Sequence, residues 1–141
     1  KFLGFQKVED LMPRIGLTVL SSISEALPLV ILEGYAAGVP TVTTDVGSCR
    51  QLVEGLDDED RALGHSGMVV PIADPQRLAD AALALLSDTA AWQAASQAAI
   101  ARVERYYTDT LMFARYRKVY ETALERTPPA PHAPGVPAWQ A

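Results

Sequence analysis

The sequence predicts an α/β protein, a Rossmann-like parallel sheet with helices at its carboxyl end, and three observations carry the prediction. Short runs rich in Val, Thr and Leu, at residues 17–21, 41–44 and 68–70, are bounded by turn residues. They alternate with stretches of helical period, the pattern of parallel strands covered by helices. From Asp74 onward the strand-like runs stop and three helical patterns follow one another.

Each element has its own signal. Residues 2–5 read as the end of a strand and residues 8–15 as a short helix. The β-branched and aliphatic residues at 17–21 suit a buried strand, and residues 22–27 form a loop. Pro28 suits the first turn of a helix, where a missing N–H is no loss, and Gly38 suits the position just past its end, so a helix is bracketed over 28–37. Residues 41–44 read as a strand, 48–53 as a short helix, 55–67 as an acidic surface loop and 68–70 as the last strand. Asp74 and Pro75 cap and open a helix whose Leu78, Ala81, Ala82, Leu85 and Leu86 share one face. Trp92, Ala95, Ala99, Val103 and Tyr106 recur at helical spacing in the next, and Thr108 caps a third carrying Met112, Tyr116, Val119, Tyr120 and Ala123. Residues 127–141, rich in proline and alanine without a period, read as a disordered tail.

Composition narrows the function classes. A chain of 141 residues has room for one domain, here residues 1–126. No apolar run reaches the roughly 18 residues of a membrane span. A formal charge of -5 disfavours a surface laid along phosphate backbones, so no nucleic-acid partner is expected. Cys49 is the only cysteine, and His65 and His132 are the only histidines, which leaves no disulfide framework, no spaced zinc set and no expected metal. One cysteine fits a reducing, cytoplasmic setting. The opening Lys1-Phe2-Leu3-Gly4 reads as the interior of a longer protein rather than as an export signal.

The stretch from Ser24 to Gly38 is the most informative. The helix over 28–37 is apolar on every face except at Glu33, and a helix apolar all round is normally buried. A buried carboxylate needs hydrogen-bond donors to replace its hydration. A ribose diol would supply two; the alternatives are pairing with a buried donor of the protein or a place at an exposed edge. The amino end of the same helix offers free N–H groups where the helix dipole favours negative charge, a seat for a diphosphate. Because Pro28 has no N–H, the donors are the amides of Leu29 and Val30. The position after a buried strand strengthens this reading, since open α/β sheets bind ligands beyond the carboxyl ends of their strands.

Glu25 followed eight residues later by Glu33, then Gly38-Val39-Pro40-Thr41-Val42 and Asp45-Val46-Gly47-Ser48, resembles the donor-binding region of glycosyltransferase family 4. The likeness runs through Gly67-Met68-Val69-Val70-Pro71 to about Arg126. It implies the carboxyl-terminal half of a GT-B fold, with its first strands missing, and transfer with retention of configuration. The wording from Leu27 to Arg50 looks more narrowly like the cytoplasmic transferases of bacterial Pel exopolysaccharide synthesis, for which UDP-glucose is the implied donor. No further cofactor is implied. By the resemblance, Glu33 receives the ribose hydroxyls, Glu25 lies by the transferred sugar, and the amides of Leu29 and Val30 hold the diphosphate. Leu27 and Pro28 stand where the family usually carries Phe-Gly, so one amide that could meet the sugar is absent. The family's basic diphosphate-binding residues and the acceptor site lie upstream of Lys1. The implied partners are therefore a nucleotide-sugar donor, a saccharide acceptor, an amino-terminal domain of the same protein and a membrane synthase complex, and the chain alone is expected to be inactive.

The resemblance also implies the sheet order 3-2-1-4-5-6, with strands at Phe2, Leu17, Thr41 and Met68 as the third to sixth. The strand at Leu17 then has an open edge, and self-association is expected there. Asp45 and Gly47 either line the cleft or serve local turn geometry. Cys49 reads as a packing residue, His65 as a solvated loop residue, residues 57–60 as a solvated charge run, and Trp92, Tyr106, Tyr116 and Tyr120 as core. The competing functions are a non-catalytic nucleotide-binding or interaction module and a GT-B nucleotide-sugar epimerase. A dinucleotide oxidoreductase lacks its Gly-x-Gly-x-x-Gly turn.

Overall fold

In the computed structural model, which describes Phe2 and residues 4–126, the first element is a short helix, α1 (Val8–Leu11), that tightens into one 3₁₀ turn over Met12–Arg14 around Pro13. Strand β1 (Thr18–Leu20) leads through the 22–27 loop into helix α2 (Leu29–Ala36), and the chain returns as strand β2 (Thr41–Thr44). Gly38, at φ 72°, takes the left-handed turn just past α2, and the Val39 amide closes back on Gly34 at 2.8 Å. Helices α3 (Cys49–Glu54) and α4 (Asp58–Arg61) precede strand β3 (Gly67–Val70), and helices α5 (Pro75–Ser87) and α6 (Thr89–Tyr106) follow.

Among the described residues the sheet has three strands, all parallel, in the order β1-β2-β3. Thr41 pairs with Thr18 on one side and with Gly67 on the other. β2 is buried along its whole length, as a strand covered on both faces must be. On one face Val42 and Val70 pack with Ala81, Leu85 and Ala95 of α5 and α6. A second core joins Ile31 and Tyr35 of α2 to Cys49 and Leu52 of α3 and Ala99 of α6, so Cys49 is the packing residue expected. Asp74 and Asp88 cap α5 and α6 by accepting the amides of Arg77 and Ala91, each at 3.0 Å. The half-buried Trp92 donates its indole N–H to Gly16 O at 2.6 Å.

Of the strand expected at residues 2–5, the described residues form none. Phe2, Gly4 and Phe5 carry no ladder pairing, both phenylalanines are fully exposed, and Leu3 lies outside the described residues. In the order 3-2-1-4-5-6 a third strand pairs only with the second, and none of the described residues supplies one. A strand with no neighbour leaves its amides and carbonyls to water.

The acidic stretch 55–67 also differs from its reading as a solvated loop. It contains α4, capped by Asp57 through the Asp60 amide at 2.9 Å, and Asp60 itself is 2% exposed. Its partner is Arg102 of α6, which is wholly buried, with Nε 2.6 Å from Asp60 Oδ1. The other guanidinium nitrogens donate to the carbonyls of Val53, Asp60 and Gly64 and to Ser66 Oγ. A buried charge persists only when its hydrogen bonds replace hydration, and here every nitrogen is engaged.

The chain divides into two compact units, Lys1–Tyr107 and Thr108–Ala141. Of the second, the described part is helix α7 (Asp109–Arg126), which Thr108 Oγ1 caps by accepting the Leu111 amide at 3.3 Å. Tyr116 and Tyr120 are exposed and stack on each other with centroids 6.4 Å apart, which corrects their reading as core. The tail expected at 127–141 lies outside the described residues.

Candidate functional site

The site is built on α2 because that helix is the crossover between β1 and β2, which places its amino end beyond the carboxyl end of β1. Pro28 is the N-cap, one position earlier than the sequence indicates, in an extended conformation at φ -74° and ψ 106°. The Ile31 amide bonds Pro28 O at 3.2 Å, whereas the amides of Leu29 and Val30 make no bond among the described residues. These two donors stand open at the positive end of the helix dipole.

α2 is not buried all round. Ile31, Gly34 and Tyr35 face the core, while Leu29, Glu33, Ala36 and Ala37 form an exposed stripe, with Leu29 63% exposed. The reading of the helix as buried on every side is thereby corrected, and of the places open to Glu33 it takes the exposed edge. An apolar composition leaves the outward face unspecified, and the sheet takes the side carrying Ile31 and Tyr35. Glu33 borders two adjoining hollows of about 600 and about 380 Å³. Residues 5–10 line the first, and Val8, Glu9, Met12 and Pro13 line the second together with Ala36 and Ala37. Its carboxylate thus stands in a groove between α2 and the α1 segment. Leu29 and Glu33, four residues apart, lie on one face about 6 Å apart along the axis.

Glu25 sits in the 22–27 loop, half-buried, and accepts a hydrogen bond from Ser22 Oγ at 2.7 Å. Leu27 is exposed and Pro28 buried. The loop is tied to the turn after β2: Thr44 Oγ1 donates to Ser22 O at 2.5 Å, and Ser48 donates to Ala26 O through its amide at 3.0 Å and its hydroxyl at 2.7 Å. Gly47, at φ 52°, packs under this loop. A Cβ there would overlap the Glu25 carbonyl, with its carbon at 2.8 Å and Ala26 O at 3.0 Å. Local turn geometry is therefore Gly47's evident role. None of these ties is legible in the sequence, because a serine is as common in a turn as in a latch.

Asp45, at the same end of β2, pairs with Arg50 at 2.7 Å, and Arg50 also meets Glu54 at 2.6 Å. Hydrogen bonding to Asp45, together with the charge of Glu54, raises the Arg50 pKa further above its ordinary value. His65 is exposed, as a solvated loop histidine should be. Among the described residues no three His, Cys, Asp or Glu side chains come together in a way that could hold a metal ion, and no helix is long and apolar enough to cross a membrane.

Comparison with known proteins identifies the family and the fold. Residues 1–88, more than half of the chain, match the family model of glycosyl transferases group 1. The lipopolysaccharide core biosynthesis mannosyltransferase LpsB of Rhizobium meliloti is 32% identical over 100 residues, which is 71% of this chain and 27% of that protein. The N-acetyl-alpha-D-glucosaminyl L-malate synthase of Bacillus anthracis is 28% identical over 124 residues, 87% of this chain and 30% of that protein. The chain therefore spans less than a third of either relative. Among solved structures, Anabaena HepE in complex with UDP and glucose superposes with a TM-score of 0.69 at 26% identity, covering 86% of this chain and 32% of that one. Sucrose-phosphate synthase from Thermosynechococcus elongatus shares the fold with a TM-score of 0.67 at 23% identity, over 79% of this chain and 26% of its own. With its family model matched over residues 1–88 and a relative 32% identical over 71% of its length, the chain belongs to the glycosyl transferases group 1.

Proposed function

We propose that this chain is the donor-binding part of a retaining, metal-independent hexosyltransferase, from the carboxyl-terminal half of a GT-B enzyme, with residues 1–126 forming a partial nucleotide-sugar-binding domain that lacks its first strands. The observation that carries the reading is the single exposed stripe of α2, with open amides at Leu29 and Val30 and a carboxylate at Glu33 one turn further along. A nucleoside diphosphate spans the same two features. Its pyrophosphate meets the amides at the helix start, and its ribose hydroxyls donate to Glu33. The groove between α2 and residues 5–13 then receives the nucleoside.

Glu25 stands by the transferred sugar, accepting its hydroxyls and countering the positive charge that develops at the anomeric carbon. Leu27 and Pro28 border the sugar with apolar surface and no amide donor from Pro28. The donor is a UDP-sugar, UDP-glucose in the first instance, and no further cofactor or metal is used. HepE supports the nucleotide and sugar class, since it was crystallised with UDP and with UDP-glucose. The acceptor is a growing saccharide, and the setting is bacterial exopolysaccharide synthesis of the Pel type, in the cytoplasm beside a membrane synthase complex. Transfer requires both the upstream cationic groups for the leaving diphosphate and the facing amino-terminal domain that excludes water; by itself the chain binds donor without turnover. The open side of β1, where the first strand of the same sheet would lie, is where this chain associates with another copy.

Titration calorimetry with UDP tests the proposal. Micromolar to millimolar binding that Glu33→Ala weakens at least tenfold supports it. Equal affinity in the wild type and Glu33→Ala would overturn it.

A further inference from the structure

The loop that carries Glu25 is held from outside itself. Thr44 Oγ1, at the end of β2, donates to Ser22 O at 2.5 Å, and Ser48, at the start of the next turn, donates twice to Ala26 O, at 3.0 and 2.7 Å. Glu25 lies between these two fastenings. Inside the loop Ser22 Oγ donates to Glu25 Oε1 at 2.7 Å, which fixes one carboxylate oxygen and leaves Oε2 free to meet a ligand. Beneath it Gly47 lets the two backbones approach more closely than any side chain allows. A loop otherwise free to swing is thereby held at both ends.

We propose that Ser22 and Ser48 are positioning residues that set the place of the Glu25 carboxylate for the sugar of the donor. The proposal rests on the reading of Glu25 as the sugar-facing group. Ser48 acts through the backbone at Ala26, and Ser22 acts on the carboxylate itself. Neither touches the part of α2 assigned to the nucleotide, so their effect falls on the hexose and not on UDP. A preorganised acceptor helps because its orientation is settled before the ligand arrives.

The test compares UDP with UDP-glucose in titrations of this chain. The ratio of the two dissociation constants measures what the sugar adds. In the wild type UDP-glucose binds more tightly, and Ser22→Ala and Ser48→Ala each cut that ratio by about fivefold, the effect of one ordinary hydrogen bond. UDP affinity stays within a factor of two. Ser48→Thr, which keeps a hydroxyl, retains the ratio. Glu25→Gln lowers it too, and Ser48→Ala in the Glu25→Gln background lowers it no further.

A ratio of one in the wild type overturns the proposal, as does a Ser48→Ala variant that weakens UDP and UDP-glucose alike, which is the mark of a merely structural role. Full additivity of Ser48→Ala and Glu25→Gln overturns it as well. If Glu25→Gln leaves the ratio intact, the assignment of Glu25 to the sugar falls first, and this inference falls with it. If Glu25→Gln lowers the ratio while both serine variants leave it unchanged, only the positioning role is lost.

Discussion

Arg102 and Asp60, 42 residues apart in sequence, form an ion pair at 2.6 Å from which water is excluded on both sides. The pair joins α6 to the segment between α3 and β3. The guanidinium holds two backbone carbonyls of that segment, Asp60 and Gly64, and that of Val53 in α3, and Asp60 Oδ2 accepts the Leu56 amide at 2.9 Å. Removing one partner strands the other as an unpaired buried charge. Arg102→Met is therefore expected to lower unfolding stability by about 3–5 kcal/mol, with Asp60→Asn less severe because an amide still accepts one hydrogen bond. Urea denaturation of the two variants checks this, and a loss below about 1 kcal/mol for Arg102→Met would show that the pair is dispensable.

Tyr35 gives the chain an alkaline weakness. Burial pushes its phenol well above the ordinary value near 10, because the charged phenolate loses hydration in the core. Its hydroxyl makes no hydrogen bond among the described residues, although Ser66, engaged by Arg102, lies close by. Below pH 10 the folded and unfolded states hold the same proton and nothing is lost. Above it the unfolded chain gives up the proton first, so stability falls as pH rises towards the folded-state pKa, by up to about 1.4 kcal/mol per pH unit. Tyr35→Phe is expected to remove this slope and to change stability at pH 7 by less than about 1 kcal/mol. Parallel denaturation series between pH 8 and 11 provide the comparison.

The ribose assignment makes a prediction of its own. If Glu33 accepts the ribose diol, 2′,3′-dideoxy-UDP should bind the wild type about tenfold more weakly than UDP and should bind Glu33→Ala no worse than UDP does. Equal affinity of the two nucleotides for the wild type would remove the ribose from Glu33.

The edge of β1 is also testable. Among the described residues Thr18–Leu20 has a ladder partner on one side only, and Val19 is 50% exposed. Val19→Lys should reduce self-association, because a lysine on an edge strand opposes pairing with another chain. Sedimentation velocity over a hundredfold concentration range should show dimer in the wild type and less of it in the variant. A wild type that stays monomeric throughout would refute the proposed association.

Much of the fold is legible in the sequence because its signals are local. The strand at Thr41–Thr44, the left-handed Gly38 and the caps at Asp74 and Thr108 each depend on a few neighbouring residues. What escapes is whatever two distant segments decide together. Asp60 reads as one member of an acidic run until Arg102 arrives from α6. The spacing of Arg102 from Ala95 and Ala99 places it on the buried face of that helix, the one signal that could have found it. Glu33 stands out as the lone acid of an apolar helix, but its outward direction is set by the sheet, which takes the opposite side of α2. Ser22 and Ser48 carry no mark in sequence, since their meaning lies in the carboxylate and the carbonyl they reach.

α2 is the link that brings β2 back beside β1, so a ligand on its start binds only the chain in which that crossover is folded. Occupying those leading amides should slow hydrogen exchange at Leu29 and Val30 by bonding them directly, and in the Thr41–Thr44 ladder by stabilising the folded crossover. Ligation at the rim and the rigidity of the central strand are then two readings of a single equilibrium.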